Sequence, residues 1–227
     1  MNTKQKIIII GGKGTAVVIA DQLIDAIRKY DAPIELLGFA FDDEMIGPDI
    51  NGIPIVEKTR QVYTKFEKNK DVQFIFSLYR PDLMRERSAL RDSYGIPIER
   101  FATFVHPLAY VAPSAIIGPG TVVLAQSVVN SNARIGTHNT LNSGVLIGHD
   151  SMTGGNCFLS GHCAVGSNIS VGEGVFIGLN SSLKNFITVG DYSIVGMASN
   201  VVKNVPAGSV VYGNPAVDRL GLHNPIR

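Results

Sequence analysis

The stretch Ile135-Gly-Thr-His-Asn-Thr-Leu141-Asn-Ser-Gly-Val-Leu-Ile147-Gly-His-Asp-Ser-Met-Thr153 opens each six-residue block on a residue that returns at a fixed interval. The interval extends in both directions. Stepping by six from Val105 reaches Val111, Ile117, Val123, Val129, Ile135, Leu141, Ile147, Thr153, Leu159, Val165, Val171, Ile177, Leu183, Val189, Val195 and Val201, and only Thr153 is not aliphatic. Four residues further on, the side chain is usually small or β-branched, as at Ala115, Thr121, Ser127, Ala133, Cys157, Cys163, Val175, Ser181, Ser193 and Ser199. An α-helix needs a period near 3.6 and an amphipathic strand a period of 2, so a period of six fits neither alone. It fits a solenoid in which each hexad is a short strand plus a turn, and the aliphatic and small residues point inward. With three hexads per coil, the uninterrupted run predicts between five and six coils. At ~4.8 Å per stacked strand they form a prism on the order of 25 Å tall.

The segment before this repeat has a different composition. Of the 227 residues 45% are hydrophobic and 17% charged, but the charge is uneven. Residues 1–100 carry 30 charged side chains, whereas 101–206 carry six: Arg134, Asp150, Glu173, Lys184, Asp191 and Lys203. All five histidines follow residue 100. This shift predicts a boundary near Arg100, with one domain at 1–100 and a second at 101–227. The front half alternates strand and helix signals. Lys6 to Gly12 reads as a strand buried on both faces. Thr15 is expected to cap a helix whose apolar stripe is Val17, Val18, Leu23, Ile24 and Ile27. Ile34–Phe41 and Val72–Leu78 read as further strands, 59–68 and 81–94 as further helices. Such βαβα alternation predicts a small parallel sheet, Rossmann-like, ahead of the β-solenoid.

Several classes are excluded. A formal charge of +1 provides no basic excess to grip a nucleic-acid backbone. No apolar run approaches the ~20 residues of a membrane helix, and the longest near the N-terminus, Ile7–Ile10, is too short for a secretory signal. Two cysteines build no disulfide framework. The expectation is a soluble cytoplasmic protein that neither binds nucleic acid nor enters a membrane.

Four motifs join the hexads: Ile10-Gly11-Gly12-Lys13-Gly14, Phe41-Asp42-Asp43, Leu141-Asn142-Ser143-Gly144 leading to His149-Asp150, and Tyr212-Gly213-Asn214-Pro215-Ala216. With them, nearly the whole chain resembles the left-handed β-helix hexapeptide acyltransferases. Among these it is most similar to the two-domain sugar acyltransferases that modify nucleotide-linked amino sugars or sialic acids in bacterial glycan biosynthesis. The resemblance implies the left hand of the coil, a homotrimer, and acetyl-CoA as donor. It also implies a front domain that holds the nucleotide and a solenoid that holds the thioester between neighbouring subunits. The nucleotide is UDP, dTDP or GDP, with UDP favoured by Phe41-Asp42-Asp43.

Each candidate residue has a chemical reason. His149 falls third in its hexad and should point outward. The resemblance makes it the general base, oriented by Asp150, and imidazole suits the task because its unperturbed pKa of ~6.5 lies near working pH. Asn142 matches a position that contacts the amino sugar. The turn Gly12, Lys13, Gly14 follows a strand and opens a helix, where backbone N–H groups can approach phosphate. The family's usual histidine and serine are replaced there by Thr15 and Lys13. Asp42 and Asp43 end a strand at the ligand edge of the sheet, and Arg80 borders the same edge. His162, Gly166, Ser167 and Gly196 are expected to line the coenzyme groove, with the Gly166-Ser167 turn as oxyanion donor. Cys157 and Cys163 fall at inward positions and read as core rather than nucleophiles.

Three outward histidines, His138, His149 and His162, also invite a metal-dependent hydratase reading. Their spacings of 11 and 13 put them on different faces, so no metal is expected. The expectation is an acetyl-CoA-dependent N-acetyltransferase for a nucleotide-linked 4-amino-4,6-dideoxy sugar. A sialic-acid-type O-acetyltransferase is the nearest alternative and a non-catalytic scaffold a remoter one.

Overall fold

The computed structural model describes residues 4–218. The chain opens with β1 (Gln5–Ile10), whose four isoleucines are wholly buried. Ile7 and Ile9 pack under α1 (Thr15–Tyr30), while Ile8 and Ile10 face Val62, Phe74 and Phe76. That two-sided burial explains the continuous apolar run. β1 pairs in parallel with β2 (Ile34–Ala40) on one side and, on the other, with the strand Val72–Phe76. Two strands lie outside the expectation: β3 (Asp49–Ile50) and β4 (Ile53–Glu57) form a hairpin, and β4 extends the sheet beside β2. Its turn, Asn51-Gly52, has positive φ at both residues, as a two-residue hairpin requires. With Val72–Phe76 as β5, the order is β3-β4-β2-β1-β5.

The helices depart from the expectation in detail. α1 begins at Thr15 itself, with Gly14 at the cap position, so Thr15 caps nothing. Its buried stripe is Ala16, Ile19, Ala20, Leu23 and Ala26, whereas Val18 is exposed. Small alanines let the helix lie close to the sheet, so the larger Ile24 and Ile27 sit at its margin. α2 is only Val62–Phe66, because Thr59 is held in the preceding turn by Asp42. α3 (Met84–Asp92) follows a separate 3-10 turn at Pro81–Leu83.

The solenoid follows the predicted rule. Between 104 and 201 there are seventeen two-residue strands, each ending on a residue of the six-step series. Strands pair with neighbours 18 residues away, as Val128 with Leu146 and Leu146 with Ala164, so three hexads make one coil. The first face contains Phe104, Val122, Thr140, Phe158, Phe176 and Ile194, the second Tyr110 through Asn200, and the third Ile116 through Thr188. From Gly120 to Ala198 the fourth residue of each hexad turns the corner with positive φ, which Asn132, Asp150, Asn168, Asn180 and Gly144 accept readily. Thr153, the one polar residue of the series, is buried but satisfied: its hydroxyl accepts from Asn139 Nδ2 at 2.9 Å, and Asn139 Oδ1 takes the Cys157 N–H at 2.6 Å. Cys157 and Cys163 are buried, and burial pushes both thiols up to about 12, which suits core residues.

Beyond Val201 the register shortens: Val205 bridges to Val189, 16 residues away. Val210–Gly213 continues the first face, and Ala216–Asp218 pairs antiparallel beside it. From the sequence, the tail from Val205 to Arg227 is expected to leave the hexads and cover the open end of the coil; its part at 219–227 lies outside the described residues.

The front domain sits on the first face. Phe104, Val122 and Leu124 join the α1 core, and burying side chains of this size stabilises by roughly 2 kcal/mol each. Gln22 donates to Ser143 Oγ at 2.8 Å and accepts from Ala125 N at 2.7 Å. At the opposite edge, Tyr79 donates to the His138 carbonyl at 2.8 Å, Arg91 bonds Asn156, and Arg85 lies 3.8 Å above the Tyr192 ring. The same contacts cover His138, which points out of the coil at a corner, but into the front domain. Phe101 packs edge-on at 4.5 Å, the ring is 4% exposed, and Nδ1 has no partner.

Burial, together with the charge of Arg91, lowers the His138 pKa to about 4. The unfolded chain therefore binds a proton between pH 6.5 and 4 that the native chain refuses, so stability falls as pH falls through this window. Urea denaturation at pH 7 and pH 5 should show a loss of about 2 kcal/mol from this residue, and His138→Asn should remove that part of the pH dependence.

Candidate active site

The sheet reverses its direction of build between β1 and β5, and ligands of such sheets gather outside the carboxyl ends there. Gly11 to Gly14 follow β1, and Ser77 to Arg80 follow β5. A side chain at Gly12 would strike the Phe41 ring at 2.5 Å, which keeps the turn bare. Ser77 Oγ lies against Gly11, buried and without a partner. Ser77 was not anticipated: only its position after β5 signals it. Lys13 Nζ is 2.7 Å from Asp43 Oδ2, and this pair, with the Met45 N–H, holds the Asp43 carboxyl below the usual range. Asp42 instead turns inward to Thr59, accepting from its N–H at 3.0 Å and its hydroxyl at 2.7 Å. Arg80 pairs with Asp82 at 2.5 Å on the same edge.

Two cavities open near this edge. One of about 300 Å³ is lined by Phe41, Asp43, Glu44, Val56, Glu57 and Lys58. The other, about 220 Å³, lies between domains, lined by Thr15, Tyr79, Pro81, Met84 and the stacked pair Phe158 and Phe176. These aromatic residues stand at outward positions of the first face, which the front domain covers.

His149 lies elsewhere, on the corner between the second and third faces, the vertex opposite the front domain. Its Nδ1 is 2.6 Å from Asp150 Oδ2, and Asp150 Oδ1 accepts from Asn132 Nδ2 at 2.9 Å. Those two bonds hold the Asp150 carboxyl below its ordinary value, so it is ionised and only accepts. A neutral His149 therefore carries its proton on Nδ1 and presents the Nε2 lone pair outward, with the side chain 58% exposed. That is the arrangement of an oriented base.

Gly166 and Ser167 stack one coil below this pair, but both amides are engaged: Gly166 N–H donates to the Leu183 carbonyl at 3.1 Å and Ser167 N–H to Asn185 Oδ1 at 3.0 Å. The expected oxyanion donor is thus not free in this chain, because the coil's own ladder uses it. Asn142, His162 and Gly196 occupy a different corner, between the first and second faces. Asn142 contributes its carbonyl to Ser127 Oγ at 2.8 Å; His162 is exposed, its ring beneath Gly144. The predicted residues therefore form two sets within one chain. The glycine turn, Asp43, Arg80, Asn142, His162 and Gly196 lie along or beside the covered face, and His149, Asp150, Gly166 and Ser167 lie at the far vertex.

No protein-family model matches the sequence, nor does any curated protein sequence. Solved structures do match in three dimensions. The acetyltransferase domain of PglB from Neisseria gonorrhoeae superposes with a TM-score of 0.82 at 24% identity, covering 95% of this chain and 100% of that one. PerB from Caulobacter crescentus, solved with CoA and GDP-perosamine, gives 0.78 at 26%, covering 94% and 97%. WeeI from Acinetobacter baumannii gives 0.71 at 22%, covering 94% and 99%. The fold is that of the two-domain left-handed β-helix acyltransferases, a Rossmann-like domain followed by the coil.

Gly148 precedes the base, and a Cβ there would lie 2.5 Å from the Gly166 carbonyl carbon. Gly148→Ala should push the coils apart beneath His149 at a cost of about 1–3 kcal/mol, read as a lower urea midpoint with an unchanged m-value.

Proposed function

We propose that this chain is an acetyl-CoA-dependent N-acetyltransferase that acts on a nucleotide-linked 4-amino-4,6-dideoxy sugar in bacterial surface glycan biosynthesis. The observation that carries the proposal is the exposed, carboxylate-oriented imidazole of His149 at a vertex of an acyltransferase fold. PerB, the neighbour solved with CoA and a GDP-linked sugar, supports the substrate class. The front domain at 1–100 takes the nucleotide, UDP, dTDP or GDP, on the Gly11–Gly14 turn, with Lys13 moving from Asp43 to the diphosphate. The coil at 101–227 takes the thioester.

Chemistry follows from the two sets of residues. The sugar amine attacks the thioester carbonyl and a tetrahedral intermediate forms. His149 Nε2 removes the amine proton, and the ionised Asp150 stabilises the imidazolium. The C–S bond then breaks, giving the amide and CoA thiol, the proton passing from His149 to the leaving sulfur. No enzyme nucleophile is used.

Since the nucleotide edge and the base lie on opposite sides of one coil, the working site is built from two protomers, and the assembly is a cytoplasmic homotrimer. Among the described residues no helix is long and apolar enough to cross a membrane.

His149→Ala should lower kcat by ~10²–10⁴-fold with the oligomer intact by light scattering. Mixing His149→Ala chains with Lys13→Glu chains under conditions of subunit exchange should restore part of the activity, because some mixed sites then combine an intact turn with an intact base. Absence of any recovery would reject the shared site. Retained activity in His149→Ala alone would reject the assigned base.

A further inference from the structure

The nucleotide edge carries a recognition feature that the proposed reaction does not use. The cavity of about 300 Å³ lies where β2 and β4 end, and β2 is two strands away from β5, the strand beside the coil. Phe41 joins this cavity to the glycine turn: its ring packs on Gly12, and its N–H donates to the Glu57 carbonyl at 2.9 Å. A diphosphate on the turn has a cavity on either side. The inter-domain cavity faces the coil, which takes the thioester, so the sugar end belongs there. The base end then enters the cavity at Phe41.

Three carboxylates line that cavity. Asp43 is turned to the glycine turn by Lys13, and Glu44, 78% exposed, is paired with Lys58 at 2.6 Å. Glu57 is the most enclosed, with its side chain 22% exposed. Its Oε1 accepts from the Lys58 N–H at 2.9 Å, and its Oε2 lies 3.3 Å from Lys65 Nζ, which also donates to the Val56 carbonyl at 2.7 Å. The Lys58 N–H and, less strongly, Lys65 hold the carboxyl below its usual range, so it is ionised and only accepts. Two contacts leave a lone pair on each oxygen, a fork of adjacent acceptors. Guanine offers the matching edge, N1–H beside the N2 amino group. Uracil and thymine offer one N–H between two carbonyls, which a carboxylate repels, and adenine offers a bare N1 beside its amino group. Lys65, next to the fork, suits O6, the neighbour of N1 on the guanine edge. We propose that the nucleotide of this chain's substrate is guanosine diphosphate and that Glu57 selects it, its two oxygens accepting from N1–H and the N2 amino group. Phe41-Asp42-Asp43 favours uridine by resemblance, but the selecting carboxylate stands on β4, outside that motif. This inference rests on the acyltransferase reading, which lays a nucleotide sugar across the turn.

The test is calorimetric titration of the intact protein with GDP, IDP, UDP and ADP. GDP should bind at least about tenfold more tightly than UDP or ADP, and IDP, which lacks the N2 amino group, should bind about tenfold more weakly than GDP. Glu57→Gln keeps an oxygen for the Lys58 N–H but turns an amide N–H toward one of the base donors. It should bring GDP down to the level of IDP while UDP stays within about twofold. Wild-type protein that binds UDP as tightly as GDP, or a GDP-to-IDP ratio unchanged in Glu57→Gln, overturns the guanine assignment and leaves the acyltransferase reading standing. Equal loss of GDP and UDP in Glu57→Gln shows a structural role and overturns Glu57 as the selecting residue. Should none of the four bind the wild-type protein, the nucleotide reading falls together with the inference.

Discussion

Everything in the solenoid depends on one requirement: an aliphatic side chain must return to the interior every six residues. Meeting it fixes a corner at each fourth hexad residue and a repeat of 18 residues per coil, so backbone hydrogen bonds run between coils instead of within them. The consequence for chemistry is that each corner becomes a column. A residue's function is then set by two coordinates, its corner and its coil, and chain distance counts only modulo 18. His149 and Ser167 are neighbours for this reason, whereas His149 and Asn142, closer in sequence, lie on different corners.

The second constraint is where the front domain docks. It covers one of three faces and is secured at both edges of that face, through Gln22 on one side and through Tyr79, Arg85 and Arg91 on the other. Asn156, bonded to Arg91, also donates to Glu173, which accepts from the Tyr192 hydroxyl at 3.1 Å, so this edge is a polar chain three coils long. Docking on the first face leaves the opposite vertex bare, which is why His149 is accessible and His138 is not. Two histidines with similar outward positions in the repeat thus have opposite fates, decided by which corner they occupy.

The solenoid was almost entirely legible from the sequence, because a period of six admits few structures and the series runs without an insertion. The Rossmann-like front was legible in outline. Its hairpin was overlooked although Asn51-Gly52 announces it, and the α1 stripe was misread because alanine, not valine, fits a helix pressed on a sheet. Of the candidate site, the pairing of His149 with Asp150 was legible. The outward position of His149 and its acidic neighbour follow from counting. The covered face was missed, yet a signal existed: Phe104, Val122, Phe158, Phe176 and Ile194 place apolar residues at outward positions of one face, as exposed strands rarely do. Asp42 could not be assigned from sequence, since nothing local says that Thr59 will claim its carboxylate. The engagement of the Ser167 amide by Asn185 likewise depends on a partner one full coil away.

A stack of parallel coils has no intrinsic length. Any molecule offering the same strand spacing could continue it, and a chain built only of hexads would be a monomer unit for filaments. Here the first face ends differently, on a strand that runs backwards, Ala216–Asp218 against Val210–Gly213. A second chain arriving at that face meets bonding groups in the reversed pattern and cannot add its coils in phase. Two residues dropped between Val201 and Val205 then put the adjoining edge out of step as well. The length of the described solenoid is thereby written into its final turn.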